Sequence, residues 1–218
     1  MRKQEYPGFT IPSGQRHAPL KRKCTELATS VYAFVGYSSS NFGVIRSNSG
    51  YILVDTGDDI GGVTEALHEI QSLAPGKLQA IILTHSHPDH RGGGQVFLEG
   101  REDVPIWGHA EFGAEQRAGK GLEDISAFRA GKQFGVGIPD ADYPVNFMLA
   151  RFPGGKSGPL ISPNRFVTED RQSLDIDGVQ LELHRIPGES TDHLAVWLPV
   201  QKTLFSGDHV YRSFPNVY

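Results

Sequence analysis

The segment Thr84-His85-Ser86-His87-Pro88-Asp89-His90 places three imidazoles and a carboxylate almost side by side. Imidazole nitrogens beside a hard carboxylate suit zinc and, less selectively, manganese or iron. The spacing of His85 and His87 turns both rings to one side of an extended segment, while Asp89 and His90 project elsewhere as the chain turns into a helix. The cluster therefore predicts two adjacent metals, with Asp89 also the candidate catalytic carboxylate. His17 and His68 stand alone and need no such explanation, since a single histidine is usually a satisfied polar group.

The apolar run Ala80-Ile81-Ile82-Leu83 precedes the cluster and Gly92-Gly93-Gly94 follows it, so a buried strand must deliver the ligands. Two other strand ends carry polar loops, Pro187-Gly188-Glu189-Ser190-Thr191-Asp192-His193 and Gly207-Asp208-His209. Asp55, closing Tyr51-Ile52-Leu53-Val54, serves either as a partner orienting a ligand histidine or as a turn cap. His109 follows the strand Val104–Trp107 without another ligand type nearby, and reads as the start of a helical stretch through Gln116 rather than as a ligand.

The remaining elements follow from periodicity. Val31–Val35, Asn41–Ile45 and Tyr51–Asp55 read as strands, the last two joined through Asn48-Ser49-Gly50. Val63, Ala66, Leu67, Ile70 and Leu73 recur at helical spacing up to Ala74-Pro75-Gly76. A short helix holds Val96, Phe97 and Leu98, and residues 120–135 read as helical. Between Gly135 and Pro163 prolines and glycines break any regular element, and Phe147, Met148, Leu149 and Phe152 there suit a pocket wall or a subunit contact. Asp177-Gly178 turns a hairpin from Ser173–Ile176 into Val179–His184, and Leu194–Leu198 and Thr203–Ser206 are two further strands.

The chain has 218 residues, 38% hydrophobic and 21% charged, the balance of one ordinary globular core. Its formal charge of −4 argues against binding nucleic acid through phosphate neutralisation. Cys24 is the only cysteine, which excludes an internal disulfide and a thiolate metal cluster. No apolar run spans a membrane and the start has no apolar signal core, so a cytoplasmic location is the expectation. Residues 1–30 read as an irregular, basic lead-in and 31–218 as the folded domain.

The His-Xaa-His-Xaa-Asp-His cluster, the Val54-Asp55-Thr56-Gly57 strand end and the later Gly-Asp strand end together resemble the metallo-β-lactamase superfamily. That resemblance implies an α/β architecture, an αββα sandwich with a two-metal site at one edge of the sheets. Where its members usually carry histidine in a Pro-Gly-His-Thr loop, this chain has Pro187-Gly188-Glu189-Ser190. With the segments Asp192–Pro199 and Leu204–Tyr218, this departure resembles the alkylsulfatase branch. Carried over, His85, His87 and Glu189 hold one zinc, Asp89 and His90 the other, and Asp208 bridges them; the substrate is an alkyl sulfate ester. The branch also places a further histidine ligand, a sulfate-holding arginine and a helical homodimerisation domain after the position where Tyr218 ends this sequence. The expectation is thus a C-terminally incomplete domain whose Asp89/His90 metal is weakly held and whose apolar surface is partly uncovered.

Overall fold

The computed structural model describes residues 21–133, 156–186 and 188–210. Most of the basic lead-in and the segment holding Phe147, Met148, Leu149 and Phe152 lie outside the described residues.

Strands β1 (Lys23–Ala28), β2 (Val31–Val35), β3 (Phe42–Arg46), β4 (Gly50–Val54), β5 (Lys77–Ile82), β6 (Ile106–His109) and β7 (Arg165–Val167) form one sheet in that order. Its first four strands pair antiparallel. From β4 onward the pairing is parallel. Parallel neighbours need a crossover, and α1 (Ile60–Leu73) supplies the first, between β4 and β5. Helix α1 starts where Asp59 Oδ2 accepts from Gly62 N at 2.8 Å, and buries Val63, Ala66, Leu67 and Ile70. A second sheet has the order β11-β10-β9-β8, built from β8 (Arg171–Ile176), β9 (Val179–Arg185), β10 (Leu194–Leu198) and β11 (Thr203–Phe205). Asp177 and Gly178, both at positive φ, turn β8 into β9 as their residue types require.

Alternation along the large sheet divides its side chains between two cores. Val44, Leu53 and Ile81 face α1 and the short helix α2 (Gly94–Leu98), joined by Val63, Ile70 and Phe97. Ile45, Ile52 and Ile82 face the second sheet and meet Leu181, Leu183 and Val196. The layers are thus helix, sheet and sheet. No α-helix follows β8 among the described residues, so the second helical layer of the sandwich has no counterpart in that half.

Three elements differ from the sequence reading. Residues 23–28 form β1, inside the stretch expected to be irregular. Charged Lys23 and Glu26 mask its pattern, and pairing with β2 overrides that weak propensity. The three-residue β7 buries only Val167, too little to register as a period. His109 ends β6 rather than starting a helix, and α3 begins only at Ala114 (Ala114–Ala118). Beyond it, α4 (Glu123–Gln133) leaves Ile125 and Phe128 exposed.

Candidate metal centre

The site lies where the carboxyl ends of β4 and β5 meet the second sheet. Residues after β5 hydrogen-bond back across the β4 end: Thr56 N donates to His90 O at 2.8 Å and Gly93 N to Gly57 O at 2.7 Å. The approach is so close that a Cβ on Gly93 would stand 2.4 Å from Thr56 O, which accounts for one of the three successive glycines. Pro88–His90 then form a 3-10 turn that brings the His90 ring back beside His85, with ring centroids 4.2 Å apart.

Asp55 orients this turn. Its Oδ1 accepts from Thr84 N, and its Oδ2 is hydrogen-bonded to Thr84 Oγ1 and His90 Nδ1, each at 2.8 Å. The same residue leaves β4 at φ 62°, a left-handed conformation that aspartate tolerates better than most. It thus holds the imidazole of His90, a candidate ligand, from a turn conformation of its own.

Two further carboxylates come from loops of the second sheet. Glu189, in the loop after β9, reaches His87 Nδ1 in a short hydrogen bond and places Oε1 3.3 Å from His85 Nε2. Asp208, in a 3-10 turn after β11, places Oδ1 3.3 Å from His90 Nε2, and Asp89 Oδ2 lies 3.4 Å from the same nitrogen. Potential ligand atoms converge in two groups, His85 with His87 and Glu189, and His85 with His90 and Asp208. Asp89 approaches the second group through His90. His109 joins neither; its Nδ1 accepts from Glu111 N at 3.1 Å.

The nitrogens facing this centre fit a cation. His85 Nε2 and His90 Nε2 are buried without a hydrogen bond, although carboxylate oxygens stand just over 3 Å away. Buried polar atoms are rarely left so, and imidazole nitrogens converging with carboxylates form a zinc-type donor set. Charge is already biased. Despite burial, the histidines around it, His90 first, pull the Asp89 carboxyl down to about 2. Asp208 is lowered against its own burial by the adjacent His90 imidazole and by the charges of His90 and His85. Burial and the charge of His90 lower His85, so its imidazole favours the neutral, ligating form. His87 and His90 are raised instead, against burial, by Glu189 and by Asp89 with Asp55 respectively.

One residue at the site escapes sequence reading. His193 is fully buried with its ring centroid 4.9 Å from that of His85, and burial together with His85 holds it down to about 4. It stands alone in a polar loop, and only the folding of that loop beneath β5 gives it a place. Asp192 beside it ties Ser190 Oγ (2.6 Å) and Gly113 N (2.9 Å) together.

Sequence comparison agrees with this architecture. A profile of the metallo-beta-lactamase superfamily matches residues 35–215, and the chain belongs to that superfamily. Among curated relatives, a linear primary-alkylsulfatase of a Pseudomonas strain is 27% identical over 80% of this chain and 34% of its own length. An alkyl/aryl-sulfatase of Saccharomyces cerevisiae is 26% identical over 98% of this chain and 35% of its own length. The chain thus spans about a third of the curated alkylsulfatases it matches. The solved structure of a stereoselective inverting sec-alkylsulfatase from Pseudomonas sp. superposes with TM-score 0.65 at 21% identity, covering 82% of this chain and 30% of that one, a likeness of fold.

Proposed function

We propose that this chain carries the active centre of a dinuclear zinc hydrolase that splits alkyl sulfate esters into alcohol and inorganic sulfate. The observation that carries this reading is the Glu189 carboxylate set against His85 and His87, an oxygen donor where the superfamily usually places a nitrogen. The alkylsulfatase relatives support it.

In this reading His85, His87 and Glu189 would hold one zinc and Asp89 and His90 the other, with the Asp208 carboxylate available beside His90. Bound zinc lowers the pKa of a water from 15.7 towards about 7 and offsets charge growing on a sulfate oxygen. The protein's own share is positional. Asp55 fixes which nitrogen of His90 faces the centre, because Nδ1 is spent on its carboxylate. Thr84 Oγ1, 3.0 Å from His85 Nδ1, does the same for His85. Asp89 and Asp208, kept ionised, supply negative charge to the centre.

The test is zinc stoichiometry measured together with sulfate release from a medium-chain alkyl sulfate, with a thioester and a phosphodiester as competing substrates. The expected result is one tightly bound zinc on His85, His87 and Glu189, a second held more weakly on Asp89 and His90, and turnover of the sulfate ester alone. Preference for the thioester or phosphodiester would assign a different hydrolase chemistry to the same centre. One zinc or none, without turnover, would make it a metal-binding module.

A further inference from the structure

His193 has no assigned part in this centre, yet it touches the segments that carry His85, Glu189 and Asp208. Its ring lies beside that of His85, from the loop after β5. A Cβ added to Gly188, the neighbour of Glu189, would come within 2.5 Å of His193 Cγ. A Cβ added to Gly207, the neighbour of Asp208, would come within 2.8 Å of His193 Nε2. That same Nε2 accepts a hydrogen bond from Asp208 N at 3.1 Å. The backbone holds the ring in place on both sides: His193 O accepts from Ile186 N at 3.3 Å, and Leu194 N donates to Thr84 O at 2.7 Å.

Two features give this contact its weight. Asp208 N belongs to the opening of a short 3-10 turn whose preceding residue, Ser206, provides no side-chain cap, so His193 is the acceptor that satisfies it. Gly207 takes φ 53° directly against the ring, so the backbone course into Asp208 is shaped around the imidazole. The accepting nitrogen is occupied and the other, Nδ1, must then carry the proton in the neutral ring, where it is buried without a hydrogen-bond acceptor among the described residues. His193 is therefore not placed to offer a lone pair to a metal, and neither converging ligand group contains it.

We propose that His193 is a positioning residue that sets the Asp208 carboxylate against His90 and seats the Glu189 loop on His85 and His87, without itself binding metal. The inference rests on the metal-centre reading above and adds the residue that brings together the two carboxylates supplied by the second sheet. Groups standing directly behind metal ligands are worth about 10–100-fold in metal affinity, and that is the size of effect expected here.

The experiment is a competitive zinc titration of the full chain against a chromophoric chelator, with His193→Phe and His193→Gln beside the wild type. Visible spectra of the cobalt-substituted proteins and melting temperatures without metal accompany it. Phenylalanine keeps the ring's bulk and removes the acceptor, whereas the glutamine amide oxygen reaches about as far as Nε2. The expected result is weaker binding in His193→Phe by about 10–100-fold with a changed cobalt spectrum, and recovery of wild-type affinity and spectrum in His193→Gln. Wild-type zinc affinity in His193→Phe overturns the proposal. So does a His193→Gln chain that binds no better than His193→Phe or fails to fold, because packing alone would then explain the residue. A wild-type chain that takes up no zinc sinks the metal centre itself and this role with it, an outcome distinct from an intact centre indifferent to position 193.

Discussion

Asp55 spends its carboxylate on Thr84 N, Thr84 Oγ1 and His90 Nδ1, and it is buried. An amide in its place accepts through one oxygen only and turns a donor toward at least one of these donors. Asp55→Asn is therefore expected to lower affinity for the metal on His90 by about 10–100-fold while the chain stays folded. Competitive metal titration checks this, and unchanged affinity would show that His90 needs no such support. His87→Ala removes a candidate ligand that lies outside both hydrophobic clusters. Far-ultraviolet circular dichroism should remain as in the wild type while bound metal falls by about one equivalent and hydrolysis is lost. Retention of both metals and of the wild-type rate in His87→Ala would remove the dinuclear mechanism.

Helix α1 offers a comparison between adjacent glycines. Alanine is the better helix former by about 0.8–1 kcal/mol, so propensity alone predicts a gain at both Gly61 and Gly62. Gly61 is exposed and a Cβ there meets nothing closer than Asp59 Oδ2 at 3.7 Å, whereas a Cβ on Gly62 would fall 1.7 Å from Tyr37 O. Denaturant unfolding should show Gly61→Ala stabilised by up to about 1 kcal/mol and Gly62→Ala destabilised by about 1–3 kcal/mol. Equal gains at the two positions would contradict the close approach of α1 to residue 37. On β1, burial, reinforced by Glu69 and Glu26, pushes the Cys24 thiol up to about 11. The thiolate is the reactive form, so the sign is a rate that is low at pH 8 and climbs towards pH 11. Allowing for the greater nucleophilicity of a more basic thiolate, labelling at pH 8 should run about tenfold slower than for a free cysteine. A plateau near pH 9 in the labelling profile would place Cys24 in open water.

At the scale of the whole molecule the centre straddles two sheets. His85, His87, Asp89 and His90 follow the large sheet, while Glu189 and Asp208 follow strands of the small one. A bound metal pair would join the layers at an edge where the apolar core between them, from Ile52 to Leu183, ends. Metal held only by the folded chain stabilises it by mass action, by about 2.7 kcal/mol at a hundredfold excess over the dissociation constant. For a chain of this size that corresponds to a melting temperature higher by about 5–10 °C with zinc than with a chelator. Identical melting curves in the two conditions would mean that the two sheets do not share a bound ion. No helix among the described residues is long and apolar enough to cross a membrane.

The sequence by itself determined the local matters: the strand from Ala80 that delivers histidines, the α1 stripe from Val63 to Ile70, the Asp177-Gly178 turn, and the ligand chemistry of residues 85–90. Each is legible because neighbours along the chain create the pattern, through alternation, helical spacing or turn geometry. Glu189 and Asp208 became candidates through resemblance, and only the fold brings Glu189, 102 residues from His87, into contact with it. Strands β1 and β7 were decided by their partners, since neither buries enough of its own surface to announce itself. His193 is the extreme case. Its strand-end polar loop is legible in the sequence, but its place beside the chain at Gly188 and Gly207 exists only once β10 has paired with β9 and Leu194 N has bonded to Thr84 O across the two sheets.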